Sequence, residues 1–452
     1  MPAPARYCAI DFGTSNSAIA IPAIPTITAS AAADEGRRPP GASSMRLVEL
    51  EPGVATMPTA VFYASEGDPN EPPRREYGRA AVAAYVDGVD GRLMRSMKSI
   101  LGSSLLEQTT DIGAGRAVRY IDVVTAYLSH LKRRAEAAAG GPIERAVIGR
   151  PVFFVDDDAP RDAQAEAALR KAAQRAGFRE IEFQYEPIAA AFDYEQGAQR
   201  EQKVLVADIG GGTSDFSVVR VGPERASRID RKDDILANHG VHIAGTDFDR
   251  RVELAAILPL LGFGGRGAAS AGASPREVPS AVYFDLATWH LINTVYQTQR
   301  VVELRGMRSF YADPLQHRRL MEVVGERLGH DLLARAEAAK IAVAEGGAAV
   351  IDLQRVEAGL AASLDEGRAQ AALDADLECI VAAARRTVAD AGLAVEAIDA
   401  LYFTGGSTGL RMLADRLHRA FPSARAVRGD RFASVATGLG LHAQRRFAAE
   451  RR

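Results

Sequence analysis

Two segments of this chain repeat one order of residue types. The first is Ile10-Asp11-Phe12-Gly13-Thr14-Ser15-Asn16; the second is Val206-Ala207-Asp208-Ile209-Gly210-Gly211-Gly212-Thr213-Ser214-Asp215. In each, an apolar run ends in an aspartate, enters a turn of glycine, threonine and serine, and gives way to another apolar run. Glycine lets backbone N–H groups approach and converge on an anion, and the hydroxyls add donors. An aspartate at a strand end offers oxygen to a hydrated magnesium ion. One such hairpin alone reads most simply as a structural turn. Two, with the acid at the same place, point to a nucleotide phosphate chain held between them. Asp11, Gly13, Thr14, Ser15 and Asn16 would face it from one side. Asp208, Gly210, Gly211, Gly212 and Thr213 would face it from the other.

Lysine occurs only at Lys98, Lys132, Lys171, Lys203, Lys232 and Lys340, and arginine takes every other basic position. Each compact ammonium is therefore notable, because arginine does not always replace it. Other polar candidates read as structural. His239 and His242 flank a glycine at a strand end and fit a turn better than a zinc site. Asp156, Asp157 and Asp158 precede Pro160 and read as helix caps. The aromatics of Tyr283–Tyr296 read as packing of a helical region. Gly262-Phe263-Gly264-Gly265-Arg266-Gly267 fits a dinucleotide fingerprint by spacing, but it follows a helix and enters a loop where that motif needs a strand before and a helix after. No G-x-x-x-x-G-K-[ST] loop occurs.

The elements that must position these residues alternate. Residues 6–12 and 16–22 read as strands around the first turn, and Ala29–Ser44 as a low-complexity surface loop. Strands are expected near Arg46–Leu50 and Thr59–Ala64. Helices are expected at Arg79–Val86 and Val123–Ala139, the latter with Tyr127, Leu128 and Leu131 inward and Lys132, Arg133 and Glu136 toward solvent. Then come strand 146–148, helix Arg161–Arg175, strand 181–183, helix Ile188–Glu195 and strand Val204–Asp208. Such alternation means an α/β fold with parallel strands. Strands at Phe216–Val221 and Ser227–Ala237, a helix at Phe248–Leu260, a loop over 262–280 and a helical block over 281–345 follow. The last part reads as strand Ala349–Leu353, helix Leu373–Ala391, strand Ala400–Thr404, helix Leu410–Phe421 and a final helix through Val435–Ala449.

The bulk numbers exclude several classes. The 452 residues are 47% hydrophobic and 25% charged, with net charge −3. That is a globular composition without the basic stripe of a nucleic-acid binder. Short basic clusters such as Lys132-Arg133-Arg134 and Arg451-Arg452 read as solvated helix ends. Two distant cysteines, Cys8 and Cys379, make a disulfide framework or cysteine-rich metal site unexpected. With no signal-like N-terminus and no run of about 18 apolar residues, the expectation is a cytoplasmic, monomeric protein that binds neither membrane nor nucleic acid.

Further segments, in order, carry a specific resemblance. The two hairpins resemble the phosphate loops of the DnaK-type, seventy-kilodalton heat-shock chaperone family. Ser96-Met97-Lys98-Ser99-Ile100-Leu101-Gly102 is similar to the family's segment with a catalytic lysine. Ala146 to Phe154, with Pro151, resembles its strand with a switch proline, and Tyr185-Glu186-Pro187-Ile188-Ala189-Ala190-Ala191 its Glu-Pro turn. Ala244-Gly245-Thr246-Asp247-Phe248-Asp249 resembles its Gly-Gly-x-Asp-Phe-Asp segment. Ala336-Glu337-Ala338-Ala339-Lys340 resembles part of its adenosine helix, and Thr404-Gly405-Gly406-Ser407-Thr408 its adenosine turn.

That resemblance implies a two-lobed actin-like ATPase, with a duplicated ribonuclease H-like α/β core and helical insert subdomains. Lobe I would be 1–198, with 45–115 as its insert and 430–452 closing it. Lobe II would be 199–429, with about 240–347 as its insert. It implies ATP and magnesium as cofactors, Asp11 and Asp208 near the metal through water, and Lys98, Glu186, Asp208 and Thr213 as the catalytic set. Gly245, Glu337, Lys340, Ile341, Gly405, Gly406 and Ser407 would hold the nucleoside end. Three departures bear on that end: Ile341, Ala344 and Gly409 stand where the family has arginine, serine and arginine. The chain ends just after the helix that should close the ATPase unit, as in short family members without a peptide-binding domain, so no groove for extended peptides is expected. Partners would be ATP or ADP and protein clients or co-chaperones. A sugar-type small-molecule kinase and an actin-like filament protein are the alternatives on the same fold.

Overall fold

The computed structural model describes residues 7–23, 45–66, 71–155, 158–267, 276–430 and 434–448. The expected loop at 29–44, part of the 262–280 loop, the cap candidates Asp156 and Asp157, and Arg451-Arg452 lie outside the described residues. No helix among the described residues is long and apolar enough to cross a membrane.

Two five-stranded paths carry the molecule, and they have the same topology. The first comprises β1 (Tyr7–Phe12), β2 (Asn16–Pro22), β3 (Met45–Leu47), β4 (Arg145–Arg150) and β5 (Glu180–Tyr185), in the order β5-β4-β1-β2-β3. The second comprises β6 (Gln202–Ile209), β7 (Ser214–Val221), β8 (Ile235–Val241), β9 (Ala400–Thr404) and β10 (Arg425–Arg428), in the order β8-β7-β6-β9-β10. In both, the first strand runs antiparallel to the second and parallel to the fourth. The third strand is antiparallel to the second, and the fifth parallel to the fourth. The central strands are continuous apolar runs because both faces of each sheet are covered, as parallel pairing requires. Thr56–Pro58 adds a short strand beside β2.

Two helices occupy the space between the sheets. Glu186–Gln196 follows β5 directly, and Ser434–Ala448 follows β10. Ile188, Ala189 and Phe192 pack with Val435, Leu439 and Ala443, and this cluster joins Ala9 and Val147 of the first sheet to Val204 and Val206 of the second. The helices touch backbone to backbone: a Cβ on Gly438 would lie 1.9 Å from the Ala189 carbonyl oxygen. Nearby, Gln184 Nε2 lies 3.0 Å from His442 Nδ1.

Each half carries an insert. The first is a small sheet of Ala60–Ala64, Arg75–Tyr77 and Gly91–Arg95 with the helix Gly78–Val86. The second is helical, including Ala281–Leu286, Thr298–Gly306, Pro314–Gly325 and Gly329–Ala342.

Several sequence expectations need correction. The strand expected at Ser227–Ala237 starts only at Ile235. Before it, the buried Arg231 binds Glu195 at 2.8 Å and also pairs with Asp234, which folds this stretch into a 3₁₀ turn, Lys232–Asp234. The strand at Arg46–Leu50 is confined to Met45–Leu47. The helix expected from Phe248 begins at Gly245 and continues through a π-helical turn, Glu253–Ile257. Strands at Ala361–Asp365 and Arg425–Arg428 had no clear sequence signal. Lys132 does not face solvent. Its side chain is 13% exposed, pairs with Glu136, and places its ammonium 5.5 Å from the Phe178 ring centre. Asp158 does cap its helix, accepting from Arg161 N at 3.0 Å.

Candidate active site

The two turns lean on each other. Gly13 is required by its own hairpin, since a Cβ there would fall 2.2 Å from the Asn16 carbonyl oxygen. Thr59 braces this turn: its Oγ1 donates to Gly13 O at 2.8 Å and its N–H to Ser15 O at 2.9 Å. The second turn is braced by its own half. Gly245 N and Thr246 N donate to the carbonyls of Gly210 and Gly211 at 3.2 and 2.8 Å, and Ser407 Oγ donates to Gly210 O at 2.7 Å. A Cβ on Gly211 would lie 2.8 Å from Ser15 Oγ, which measures how closely the hairpins approach. A third turn folds onto the same point. Gly405 has φ +85°, and a Cβ there would sit 2.4 Å from Ile209 O and 2.7 Å from Asp208 Oδ1.

A cleft of about 970 Å³ opens between these turns. All the site residues named from the sequence line it: Asp11 and the first turn, Lys98, Glu186, Asp208 and the second turn, Gly245, the Glu337–Ile341 face, and Gly405 to Ser407. Such a volume suits a nucleotide-sized ligand. His242, on the exposed bend after β8 as its reading as a turn residue expects, also lines the cleft.

The floor is charged. Lys98 sits in a 3₁₀ turn, Met97–Ile100, anchored by the buried Met97 and entered through Ser96 in the left-handed region. Its Nζ lies 2.5 Å from Glu186 Oε1. Glu186 is the first residue of its helix, where the helix dipole favours an anion. Burial pushes the Asp11 carboxyl up to about 8, reinforced by Glu186 and Asp208 and opposed by Lys98. Burial likewise pushes Asp208 up to about 7, with Asp215 and Glu186 adding to the effect. Asp215 is raised by burial as well, against a hydrogen bond from Thr213. Burial opposes the Lys98 charge, yet the bonded Glu186, with Asp11 and Asp215, holds its pKa above the ordinary value. Asp215 was not singled out from the sequence. It pairs directly with Asp208 across the hairpin, so the two carboxylates share one face.

This floor is short of positive charge: Asp11, Glu186, Asp208 and Asp215 face one lysine. A divalent cation fits that deficit. The described residues form no ready-made cluster of three metal-ligating side chains. The donor set therefore suits an ion that keeps most of its water and shares phosphate oxygens, as magnesium does.

The other end of the cleft is quieter. Lys340 Nζ pairs with Asp249 at 2.7 Å, and Asp249 is pushed up to about 6 by burial, against the pull of Lys340. Ile341 is 62% exposed, and Ile341, Ala344 and Gly409 add no polar side chain to this wall, which Glu337, Lys340 and Glu345 also line.

Duplicated halves, each with an insert and a glycine hairpin, and crossing helices beneath the cleft define the actin-like ATPase fold. Within that class, a family model described as Hsp70 protein matches residues 107–254. The chain is 31% identical over 247 residues to the chaperone protein DnaK of Thermosipho melanesiensis, covering 54% of this chain and 34% of that protein. It is 30% identical over the same length to the DnaK of Thermotoga neapolitana. It is 32% identical over 219 residues to an HscA homolog of Aromatoleum aromaticum, covering 45% of this chain and 32% of that protein. The chain is thus a relative of the DnaK-type heat-shock family, and it spans about a third of the length of the curated relatives it matches.

Proposed function

We propose that this chain binds ATP with magnesium in the cleft, hydrolyses it to ADP and phosphate, and uses that cycle as a chaperone-like switch toward protein clients or co-chaperones. The observation that carries the reading is the Lys98–Glu186 pair, 2.5 Å apart on the floor between two glycine hairpins. We take the lobes to be 1–198 with 430–452, and 199–429. Gly13, Thr14, Ser15 and Asn16 would hold the terminal phosphates from one side, and Gly210, Gly211, Gly212 and Thr213 from the other. Lys98 would neutralise charge on the transferring phosphoryl group and orient the attacking water. Glu186 would keep that lysine charged and aimed, and Asp208 or Glu186 would orient the water or take its proton. Magnesium near Asp11 and Asp208 would supply charge to the phosphate oxygens. Phosphoryl transfer needs mainly positioning and electrostatics, which this set provides. Glu337, Lys340, Ile341, Gly245, Gly405, Gly406 and Ser407 would enclose the nucleoside.

The test is single-turnover hydrolysis. Removing one preorganised contact to a transition state costs about 2.7–4 kcal/mol, or roughly a hundred- to a thousandfold in rate. Lys98→Ala should lose that much while holding ATP within about tenfold of the wild type, because the contact matters most in the transition state. Lys171→Ala is the control, since that side chain is 61% exposed and is not among the residues that line the cleft. Equal rates for the two variants contradict the assignment.

A further inference from the structure

A second pocket, of about 450 Å³, lies in the first insert, and none of its lining residues lines the cleft. Three pieces of chain build it. Strands Thr109–Gly113 and Arg116–Arg119 form a hairpin, and a Cβ on Gly113 would lie 2.3 Å from Ser65 Cβ, just beyond the strand Ala60–Ala64. The strand Arg75–Tyr77 pairs with Ala60–Ala64 and brings Arg75 to the pocket. The hairpin runs straight into the helix Tyr120–Ala139, which adds Asp122.

Apolar walls and basic groups meet here. Tyr63 and Ile112 are each 2% exposed, and Pro73 and Val118 extend the apolar wall. Arg116 donates from Nη2 to Ser65 O at 3.2 Å, while its Nε–H is buried and has no acceptor among the described residues. The Arg75 guanidinium lies 5.9 Å from the Tyr63 ring centre and is hydrogen-bonded to the phenol. Burial pushes that phenol up to about 12, so its O–H stays a neutral donor. Neither arginine has a carboxylate partner among the described residues. Of the two acids at the pocket, Asp122 is already held by Arg119 at 2.9 Å and by Arg175 at 2.7 Å, and Glu71 is exposed. A buried N–H of a charged group without an acceptor is costly, and an anion beside it removes that cost.

We propose that this pocket binds a small organic anion, its carboxylate or phosphate head held by Arg75 and Arg116 and its apolar body against Tyr63, Ile112 and Val118. The donors match that class. A guanidinium offers a planar fork to carboxylate or phosphate oxygens, and the Tyr63 hydroxyl adds a further donor. Apolar walls with a few convergent polar groups are the usual form of a small-molecule site. The site is separate from the cleft and stands whether or not the cleft binds ATP. Because the anion would tie the hairpin to the strand Arg75–Tyr77, it should raise the melting temperature as its concentration rises.

The experiment is calorimetric titration of the full chain, in low-salt buffer free of other phosphates and carboxylates, with phenyl phosphate, benzoate and acetate. Benzoate or phenyl phosphate should bind, and which of them binds distinguishes a carboxylate ligand from a phosphate ester. Acetate, with the same head as benzoate and no ring to bury, should bind roughly tenfold more weakly or worse. Arg75→Gln and Arg116→Gln should each weaken the aromatic anion by about tenfold to a hundredfold, the worth of one hydrogen bond to a charged group. Arg74→Gln is the control: that side chain is 78% exposed, pairs with Glu76 and lies outside the pocket. Arg75 is exposed, so its variant keeps the test if Arg116→Gln fails to fold. An aromatic anion that binds both arginine variants as it binds the wild type sits elsewhere, the cleft included, and overturns the proposal. So do acetate binding as tight as benzoate binding, and a wild-type chain that binds neither aromatic anion.

Discussion

At the scale of single residues, the floor of the cleft is held by one pair. Lys98 and Glu186 lie far apart in the chain, yet each was legible because its local segment, a lysine before a turn and a glutamate before a proline, has a recognisable order. Asp215 was not singled out because its role depends on register. Only the pairing of Asp208 with Asp215 puts both acids on one face. The first hairpin differs there, since Asp11 pairs with Ala18, so the repeat in sequence did not announce the extra acid. Two outcomes belong to this scale. Ile341, Ala344 and Gly409 offer the base few polar contacts, so calorimetric titration should give ATP and GTP affinities within about tenfold of each other, a gap of roughly 1.4 kcal/mol. Tight ATP binding with no measurable GTP binding would refute this. Gly405→Ala should destabilise the chain by about 1–3 kcal/mol in denaturant unfolding, because φ +85° with ψ 149° is a conformation that only glycine adopts readily. Unchanged stability would mean that the third turn is not built as described.

At the scale of elements, the alternating strands and helices were legible from period and composition. Short edge strands such as Arg425–Arg428 were not, because four residues give too little pattern against an exposed arginine-rich background. The crossing of Glu186–Gln196 and Ser434–Ala448 was not legible either, since Gly438 faces the carbonyl of Ala189, 249 residues earlier, and such a contact has no local signature. Gly438→Ala should force these helices apart at a cost of about 1–3 kcal/mol, measurable as a lower denaturant midpoint.

At the scale of the whole molecule, the duplicated fold puts one glycine hairpin on each half, so the cleft exists only when the halves are together. The sequence announced this through its repeat of aspartate and glycine turn. The central claim is that one ATP molecule is held by both halves at once. Hydrogen exchange followed by mass spectrometry, with and without saturating ATP and magnesium, tests it most directly. The account expects slower exchange together at residues 13–16, 210–213 and 405–407. No change anywhere, or slowing confined to one hairpin, would contradict it.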